Sequence, residues 1–520
     1  MKKIYILIAL FCLTISCKKD FIRLSPEDSY TDGVFYKTEQ QFRSAVVAAY
    51  APLRDVLVND YFTSEMHSDN TIYQPIPGNR GTSIVERENI SDFTSTSTNA
   101  YVAATWQHSY TSISRCNIII ERLKGSDLSD AVKVSLDGQA KFLRALNYFK
   151  LVRLYGGVPL FLEEVTTADE AFKARSTEAE VYTQIIADAK DAVSKLPKPG
   201  KFPQTGEATK GAAAMLLTEV YAVQKKWGDA EILLKDLLTM GYDLNPNYED
   251  TFKPVNKNGK ESIFEIQFLG GSLTGATPNV LPIHFLPRSK DTKLLTGISI
   301  DNTGAGGWNT TSDDLIKDFE TGDKRLDASI GIAEGTYDAS SYFRYTAVKS
   351  VINYIPESGK VGVPYIKKYL HSPLEATTGS SDDFPIYRFS DALLLLSEVL
   401  NEQGKSSEAL APLNRVRKRA GLADFTNTEA GLLREKIFHE RRVELAFENH
   451  RWTDLLRTDK ALTVINAFGV KIRQQLPFLS SAVEQLSGTN AYKMHRECTS
   501  FLRHLISNLK ICCLSMSLYM

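Results

Sequence analysis

The stretch from Glu440 to Arg457 constrains the fold most. Its charged and bulky apolar residues alternate too closely for an amphipathic helix with one solvent-exposed face. Read as a helix, Glu440, Glu444 and Glu448 stack four residues apart, and like charges at that spacing repel unless cations lie between them. From Ile437 onward the stretch carries four arginines and no lysine, as expected where guanidinium groups bind carboxylates in a confined site. The pattern predicts buried ion pairs that lock this helix against the core; a catalytic carboxylate pair is the alternative.

Helical periodicity dominates the first half of the chain. Apolar residues recur at three- and four-residue spacing in five segments: 39–57, 105–123, 132–155, 178–196 and 209–240. Two units are internally similar: Leu216–Val220 followed by Ala230 and closed by Gly241, and Leu395–Val399 followed by Ala409 and closed by Gly421. A small residue where two helices approach closely is typical of tetratricopeptide helical hairpins.

Between these units, the helical period fades and loop residues take over, with Gly, Asn, Thr and Pro scattered along 241–385. Within this insertion, Phe264–Phe268 alternates strictly and predicts one strand of a small sheet. The sequence therefore predicts a mainly α fold, a tetratricopeptide-like hairpin scaffold with an irregular, loop-rich insertion that contains a small β element. We divide the chain into a signal peptide (1–16), an N-terminal helical region (17–240), the insertion on the binding side (241–385), a C-terminal helical region (386–470) and an atypical tail (471–520).

The N-terminus has the composition of a secretory signal. Lys2 and Lys3 precede an apolar run of about ten residues, half of what a helix needs to span a bilayer. Ser16 is followed by Cys17 and a polar segment, which indicates cleavage before the cysteine and its lipidation; a free N-terminal thiol is the alternative. Attached acyl chains would anchor the protein to a membrane without spanning it.

The 440–457 pattern resembles the C-terminal signature of the RagB/SusD family of outer-membrane nutrient-binding lipoproteins. Three further blocks are similar to that family and follow in the expected order: Arg144–Leu160, Pro385–Leu393 and Arg417–Leu422. The resemblance implies a lipid-anchored protein of the outer membrane, facing the cell exterior. It also implies capture of an oligosaccharide, or in some relatives a peptide, and its delivery to a SusC-like TonB-dependent barrel. A tetratricopeptide scaffold that binds only protein remains an alternative.

Binding residues tend to lie on loops held by a rigid frame, which favours the loop 302–311. There Trp308 follows Gly306 and Gly307, and its indole has the flat apolar face on which a sugar ring can stack. The alternative is that Trp308 caps the core beneath Asp313, Asp314 and Leu315.

A second candidate loop spans residues 60–81. It contains Asp69, Tyr73, Asn79 and Arg80, a mixture able to combine stacking with hydrogen bonds to hydroxyl groups. Tyr73 is the predicted anchor, although an ordinary loop aromatic would look the same. Phe285 is a further candidate, between two prolines that equally suit a buried turn.

Composition and motifs argue against other functions. The net charge is −1, or −3 once Lys2 and Lys3 leave with the signal, and so gives no electrostatic footprint for nucleic acid. Metalloprotease, serine-hydrolase and phosphate-loop motifs are absent from the sequence, as are cysteine pairs with metal spacing. We therefore predict no enzyme activity, no cofactor and no metal, although a glycosidase carboxylate pair is defined only in space.

The tail departs from the family pattern. From about residue 471 the sequence lacks the proline-rich ending typical of the family and turns rich in cysteine and methionine, with Cys498, Cys512 and Cys513 close together. Adjacent thiols in an exported protein invite misoxidation. The pattern suggests an altered reading frame or a lost terminus.

The N-terminal prediction is testable with a cysteine pair. Cys17→Ser is expected to abolish lipidation and release the protein from membranes, because the acylated sulfur is its only predicted membrane attachment. Cell fractionation and intact-mass measurement of the mature chain check this. Cys12→Ser, inside the predicted signal, is the control and should leave the membrane fraction unchanged; a Cys17→Ser protein that still carries acyl chains would contradict the prediction.

Overall fold

The computed structural model describes residues 35–74 and 81–475. Helices dominate its first part, as the periodicity predicted. They are α1 (Glu39–Tyr50), α2 (Pro52–Ser64), α3 (Thr82–Ser91), α4 (Ala100–Lys124), α5 (Asp130–Tyr155) and α6 (Glu178–Lys195). The predicted segment 39–57 is two helices rather than one, because Pro52 cannot donate a hydrogen bond to the preceding turn and instead begins α2.

The two predicted helical hairpins are present. They are α7 (Lys210–Val223) with α8 (Trp227–Leu237), and α13 (Phe389–Glu402) with α14 (Ser406–Arg419). Ala230 and Ala409 are fully buried at the helix crossings, and the Ser397 hydroxyl donates a hydrogen bond to the Ala409 carbonyl at 2.7 Å. Gly241 and Gly421 follow at φ +87° and +85°, a left-handed conformation that favours glycine. The prediction of a helical-hairpin scaffold is confirmed.

The region between the hairpins contains most of the strands and several short helices. The short helices are α9 (Leu281–His284), α10 (Lys293–Thr296), α11 (Asp313–Asp318) and α12 (Arg325–Ser329). The strands of the described residues are β1 (Thr71–Ile72), β2 (Ser262–Ile266), β3 (Thr310–Thr311), β4 (Ile330–Tyr337), β5 (Phe343–Ser350), β6 (Val361–Ile366) and β7 (Phe384–Arg388). They form three antiparallel sheets, β1–β3, β2–β7 and β5–β4–β6.

The small sheet predicted around residue 264 exists, but its strand ends at Ile266 and is buried along its whole length. Glu265 lies among these buried residues, and burial raises the pKa of its carboxyl to about 7. The strand is therefore covered on both faces and paired with β7 at its edge. The five-part division of the chain stays a prediction; β1 lies outside the predicted insertion and pairs with β3 inside it.

Three C-terminal helices complete the described chain: α15 (Ala430–Glu444), α16 (Arg451–Arg457) and α17 (Ala461–Gln475). The carboxylates predicted to be buried lie along α15 and just beyond it, and Glu440, Glu444 and Glu448 are all sealed from solvent. Nowhere in 35–74 or 81–475 does a helix combine the length and the apolar character that a bilayer crossing requires.

Cations from distant elements neutralise these carboxylates. Glu444 pairs with Arg325 at 3.1 Å, Arg388 at 3.1 Å and Arg419 at 2.5 Å. Burial opposes its ionisation, but the three arginines outweigh burial and hold the pKa of Glu444 well below its usual range. Arg388 also binds Glu448 at 2.6 Å, and the arrangement forms one buried ion network.

Further pairs extend this network across the fold. Glu440 binds Arg325 at 2.7 Å and Arg417 at 2.9 Å, while Lys368 reaches Glu448 at 2.8 Å. Glu261, just before β2, binds Arg388 at 2.6 Å. The network therefore joins α12, α14 and α15 to the β2–β7 sheet, and the prediction of structural ion pairs is confirmed.

The arginines of the 440–457 stretch do not neutralise its own glutamates. Arg441 binds Asp391 at 2.7 Å and Asp454 at 2.9 Å, and Arg451 binds Asp69 at 2.7 Å. Spacing along the helix therefore does not set the partners: the glutamates of the stretch meet cations from other elements, and Arg441 and Arg451 bind aspartates.

Removal of one member of the network should be costly. Arg388→Met is expected to lower the free energy of unfolding by about 3–5 kcal/mol, because Glu261, Glu444 and Glu448 would keep buried charge with one fewer partner. Denaturant unfolding measures this. Arg43→Met is the control: its exposed pair with Glu39 is worth at most about 1 kcal/mol. Equal losses in the two variants would refute a stabilising role for the network.

Candidate functional site

The loop 302–309 is the predicted binding loop, and its backbone is tightly fixed. The Asn302 side chain accepts a hydrogen bond from the Ser289 amide at 2.7 Å and donates to the Ile283 and Pro287 carbonyls at 3.3 Å. At Gly306 an added Cβ would lie 2.4 Å from the Asn302 amide nitrogen, so a side chain has no room there. Gly306 therefore lets the backbone lie close to the Asn302 side chain.

Trp308 itself is not presented to solvent. Its side chain is 2% exposed and packs with Phe62, Met66, Tyr73 and Ile90. The guanidinium carbon of Arg87 lies 3.6 Å from the centre of its ring, so a cation already covers one indole face. The expectation of an exposed indole is wrong. Packing against Arg87 and the aromatic cluster removes the apolar surface of the ring from water, which an exposed position would not do.

The other predicted residues are also placed away from solvent or outside the described chain. Tyr73 is 6% exposed and its hydroxyl donates to Asp92 at 3.0 Å. Phe285 is part of the main core, 4.8 Å from the Tyr61 ring centre. Asn79 and Arg80, like Cys17 and the cysteines of the tail, lie outside the described residues.

Asp69 is occupied by structural partners. Arg451 binds its two carboxylate oxygens at 2.7 and 2.9 Å, and Arg442 adds a contact at 2.9 Å. Burial opposes ionisation, but the two arginines hold the pKa of Asp69 below its usual range. Trp308 and Tyr73 thus share one cluster, while Asp69 and Phe285 serve other contacts; as placed here, none offers an accessible binding surface.

Sequence reasoning missed the residues that lie around Trp308 and its loop, of which Arg87 is buried and the others are partly exposed. We define the Trp308 rim as Gln74, Arg87, Tyr101, Arg288 and Tyr342. Tyr101 lies 5.5 Å from the Arg87 guanidinium carbon, and Tyr342 lies 5.5 Å from that of Arg288. The Gln74 amide donates to the Gly307 carbonyl at 3.1 Å, and Arg288 Nε donates to the Thr303 carbonyl at 2.6 Å. The rim is therefore anchored to the fixed loop.

The rim carries positive charge, and the histidine beneath it is neutral. Burial, reinforced by the nearby charge of Arg288, lowers the pKa of Arg87 to about 10. Burial and then the charge of Arg87 lower the pKa of His284, beneath the rim, to about 4. His284 is thus neutral at physiological pH, and the charge of the two rim arginines is positive.

Two groups of acids and histidine elsewhere have ligand atoms close enough for a metal ion: Glu219, Asp391 and His450, and Glu320, His439 and Glu440. Arginines already neutralise both groups. Arg441 pairs with Asp391 at 2.7 Å, and Arg417 pairs with Glu320 at 2.6 Å and Glu440 at 2.9 Å. These contacts explain the carboxylate clusters as parts of ion networks.

Comparison with known proteins gives two family matches. A model described as the SusD family matches residues 260–498, and one described as starch-binding and associating with the outer membrane matches residues 20–222. The first match includes the whole 440–457 stretch and runs into the segment predicted to be an atypical tail.

Individual relatives match along most of their length. The SusD-like protein P2 of Formosa agariphila is 29% identical over 483 residues, which are 88% of this chain and 91% of that protein. The SusD-like protein P25 of the same organism is 26% identical over 501 residues, 89% of this chain and 90% of that one. A solved structure of a laminarin-binding SusD-like protein is 25% identical, with a TM-score of 0.67 over 84% of this chain and 94% of that one.

The burial of Trp308 makes a prediction about stability. Trp308→Ala is expected to lower the free energy of unfolding by about 3–5 kcal/mol, because it removes a large buried ring and exposes its partners. Denaturant unfolding checks this. Phe172→Ala, which removes an exposed aromatic ring, is the control and should change stability little. Unchanged stability in Trp308→Ala would instead support a free, ligand-facing indole.

Proposed function

Because the chain belongs to the RagB/SusD family, we propose that it is a cell-surface lipoprotein that captures oligosaccharide and delivers it to a SusC-like TonB-dependent outer-membrane transporter. Capture takes place at the Trp308 rim. The observation that carries this assignment is a pair of partly exposed tyrosines beside two arginines: Tyr101 lies near Arg87 of α3, and Tyr342 lies near Arg288, which is bonded to the fixed loop.

The chemistry of the rim suits a sugar. Tyrosine rings offer flat apolar faces to the carbon–hydrogen face of a pyranose, and their hydroxyls remain available for hydrogen bonds. Gln74 and the guanidinium groups add further donors for sugar hydroxyls. A family model described as starch-binding and a relative described as laminarin-binding support a glycan as the ligand.

The acids near the rim favour capture without turnover. A glycosidase needs one carboxylic acid whose pKa is raised, so that it can protonate the leaving oxygen. Hydrogen bonds from Thr303 instead lower the pKa of Asp301, and those from the Tyr342 and Ser340 amides lower the pKa of Asp338. Both carboxyls are therefore ionised at neutral pH, and neither can act as the general acid.

Anchoring and delivery complete the proposal. Lipidation at Cys17 would hold the protein at the outer membrane, and a lipid-held protein has no pore of its own, so uptake needs a partner barrel. A peptide ligand in place of the oligosaccharide, and a scaffold that binds only the barrel, are the competing interpretations of the same family membership.

The rim is testable by removing its accessible rings. The Tyr101→Ala and Tyr342→Ala variants are each expected to weaken oligosaccharide binding about tenfold, or ~1.4 kcal/mol, because each loses one stacking surface. A glycan array identifies the ligand, and calorimetry on it measures affinity. Phe172→Ala is the control, since it also removes an exposed aromatic ring and lies outside the rim.

Three outcomes would count against the proposal. Unchanged affinity in both tyrosine variants would move the site elsewhere. Binding of peptides but of no glycan would favour the peptide interpretation. Co-purification of a barrel, with neither glycan nor peptide bound, would favour a scaffold.

A further inference from the structure

Arg87 is an exception among the buried arginines. It is 5% exposed, yet it forms no ion pair with any described residue. Every other buried arginine in 35–74 and 81–475 pairs with a carboxylate: Arg144, Arg325, Arg388, Arg417, Arg441, Arg442 and Arg451. A buried charge without a counter-charge is destabilising, so its retention needs a reason.

The contacts of Arg87 leave its terminal nitrogens available. Nε donates to the Ser83 carbonyl at 3.2 Å, and the aromatic rings of Trp308, Phe62 and Tyr101 lie around the guanidinium carbon at 3.6, 5.4 and 5.5 Å. The terminal nitrogens donate no hydrogen bond to a described residue, and they are not among the polar atoms sealed from solvent. The rings lie around the guanidinium group but supply no anion.

Arg288 is a second cation of the same kind. Its Nε donates to the Thr303 carbonyl, and it too forms no ion pair with a described residue. It is close enough to Arg87 for the two charges to repel, which contributes to the lowered pKa of Arg87. Two like charges without acids between them attract an anion from solution.

The nearby acids have other partners. Lys290 lies beside the same Tyr342 ring, and its charge acts on Asp301 and Asp338. Glu88, next to Arg87 in α3, contributes an attraction but makes no ion pair with it, and it interacts with other groups. Neither guanidinium group is therefore neutralised by these carboxylates.

We propose that the Trp308 rim is built for an anionic oligosaccharide, whose carboxylate or sulfate groups pair with the terminal nitrogens of Arg87 and Arg288. Planar guanidinium groups bind such oxygens in a two-pronged way that a neutral hydroxyl cannot match. The tyrosines on either side stack on the sugar rings that carry the charge. This inference rests on the proposed function and specifies its ligand class.

The test compares charged and neutral probes on the full-length protein. Calorimetry measures binding of hexagalacturonate, a sulfated galactan hexasaccharide and laminarihexaose at about 0.15 M salt, where distant charges are screened. We expect one of the two anionic probes to bind at least about tenfold more tightly than laminarihexaose. The carboxylate and sulfate arms distinguish the two sources of charge.

Variants then assign the preference to the two arginines. Arg87→Gln and Arg288→Gln should each weaken the anionic probe about tenfold, and by a clearly larger factor than they weaken laminarihexaose, which loses only a neutral hydrogen bond. Arg43→Gln has the same change of charge outside the rim and is the control. Arg87→Lys, which keeps the charge but loses the planar fork, should recover only part of the affinity.

Stability separates this role from a structural one. Because Arg87 has no carboxylate partner, Arg87→Gln should keep or raise the melting temperature, whereas loss of a paired arginine such as Arg451 should lower it. Equal affinity for charged and neutral probes, or anionic binding unaffected by either Gln variant, would overturn the inference and leave oligosaccharide capture standing. If neither these probes nor a glycan array shows binding, both proposals fall.

Discussion

The structure depends on the buried network around Glu444. Its carboxylate is held by arginines from α12, β7 and α14, and the same arginines reach Glu261, Glu440 and Glu448. Charges removed from water are favourable only when all their partners arrive together. The network therefore specifies one arrangement of hairpin, sheet and C-terminal helix, because a sliding or rotated helix would leave several charges unpaired at once.

The C-terminal helices α15 and α16 also support the rim. Arg442 and Arg451 hold Asp69, and the neighbouring Asn70 carbonyl accepts a hydrogen bond from the Ser312 amide at 2.9 Å. From there β1 pairs with β3, and the chain continues to Gln74, which is bonded to Gly307. A run of direct contacts thus leads from the C-terminal signature to the proposed binding face.

Sequence patterns predicted the features that depend on residues close together in the chain. The hairpins follow from helical periodicity and a small alanine, and the burial of Glu444 follows from its crowded surroundings. The rim could not be found this way, because Arg87 and Tyr101 sit in ordinary helices and only folding brings them to Trp308. The indole looked exposed for the same reason: its covering cation lies more than two hundred residues earlier in the chain. Strands β4 and β5 were missed because long-range pairing, rather than local composition, organises them.

Contacts between the two ends of the chain have a consequence for biogenesis. Arg451 meets Asp69 across 382 positions, and the Tyr61 hydroxyl donates to the Phe447 carbonyl across 386. Such contacts give the protein a high contact order, and they close only after nearly the whole polypeptide is available. A nascent segment ending before α15 would leave Asp69 without its arginine partners. The N-terminal helices therefore cannot complete their fold alone. Completion of the fold is therefore a late, concerted event.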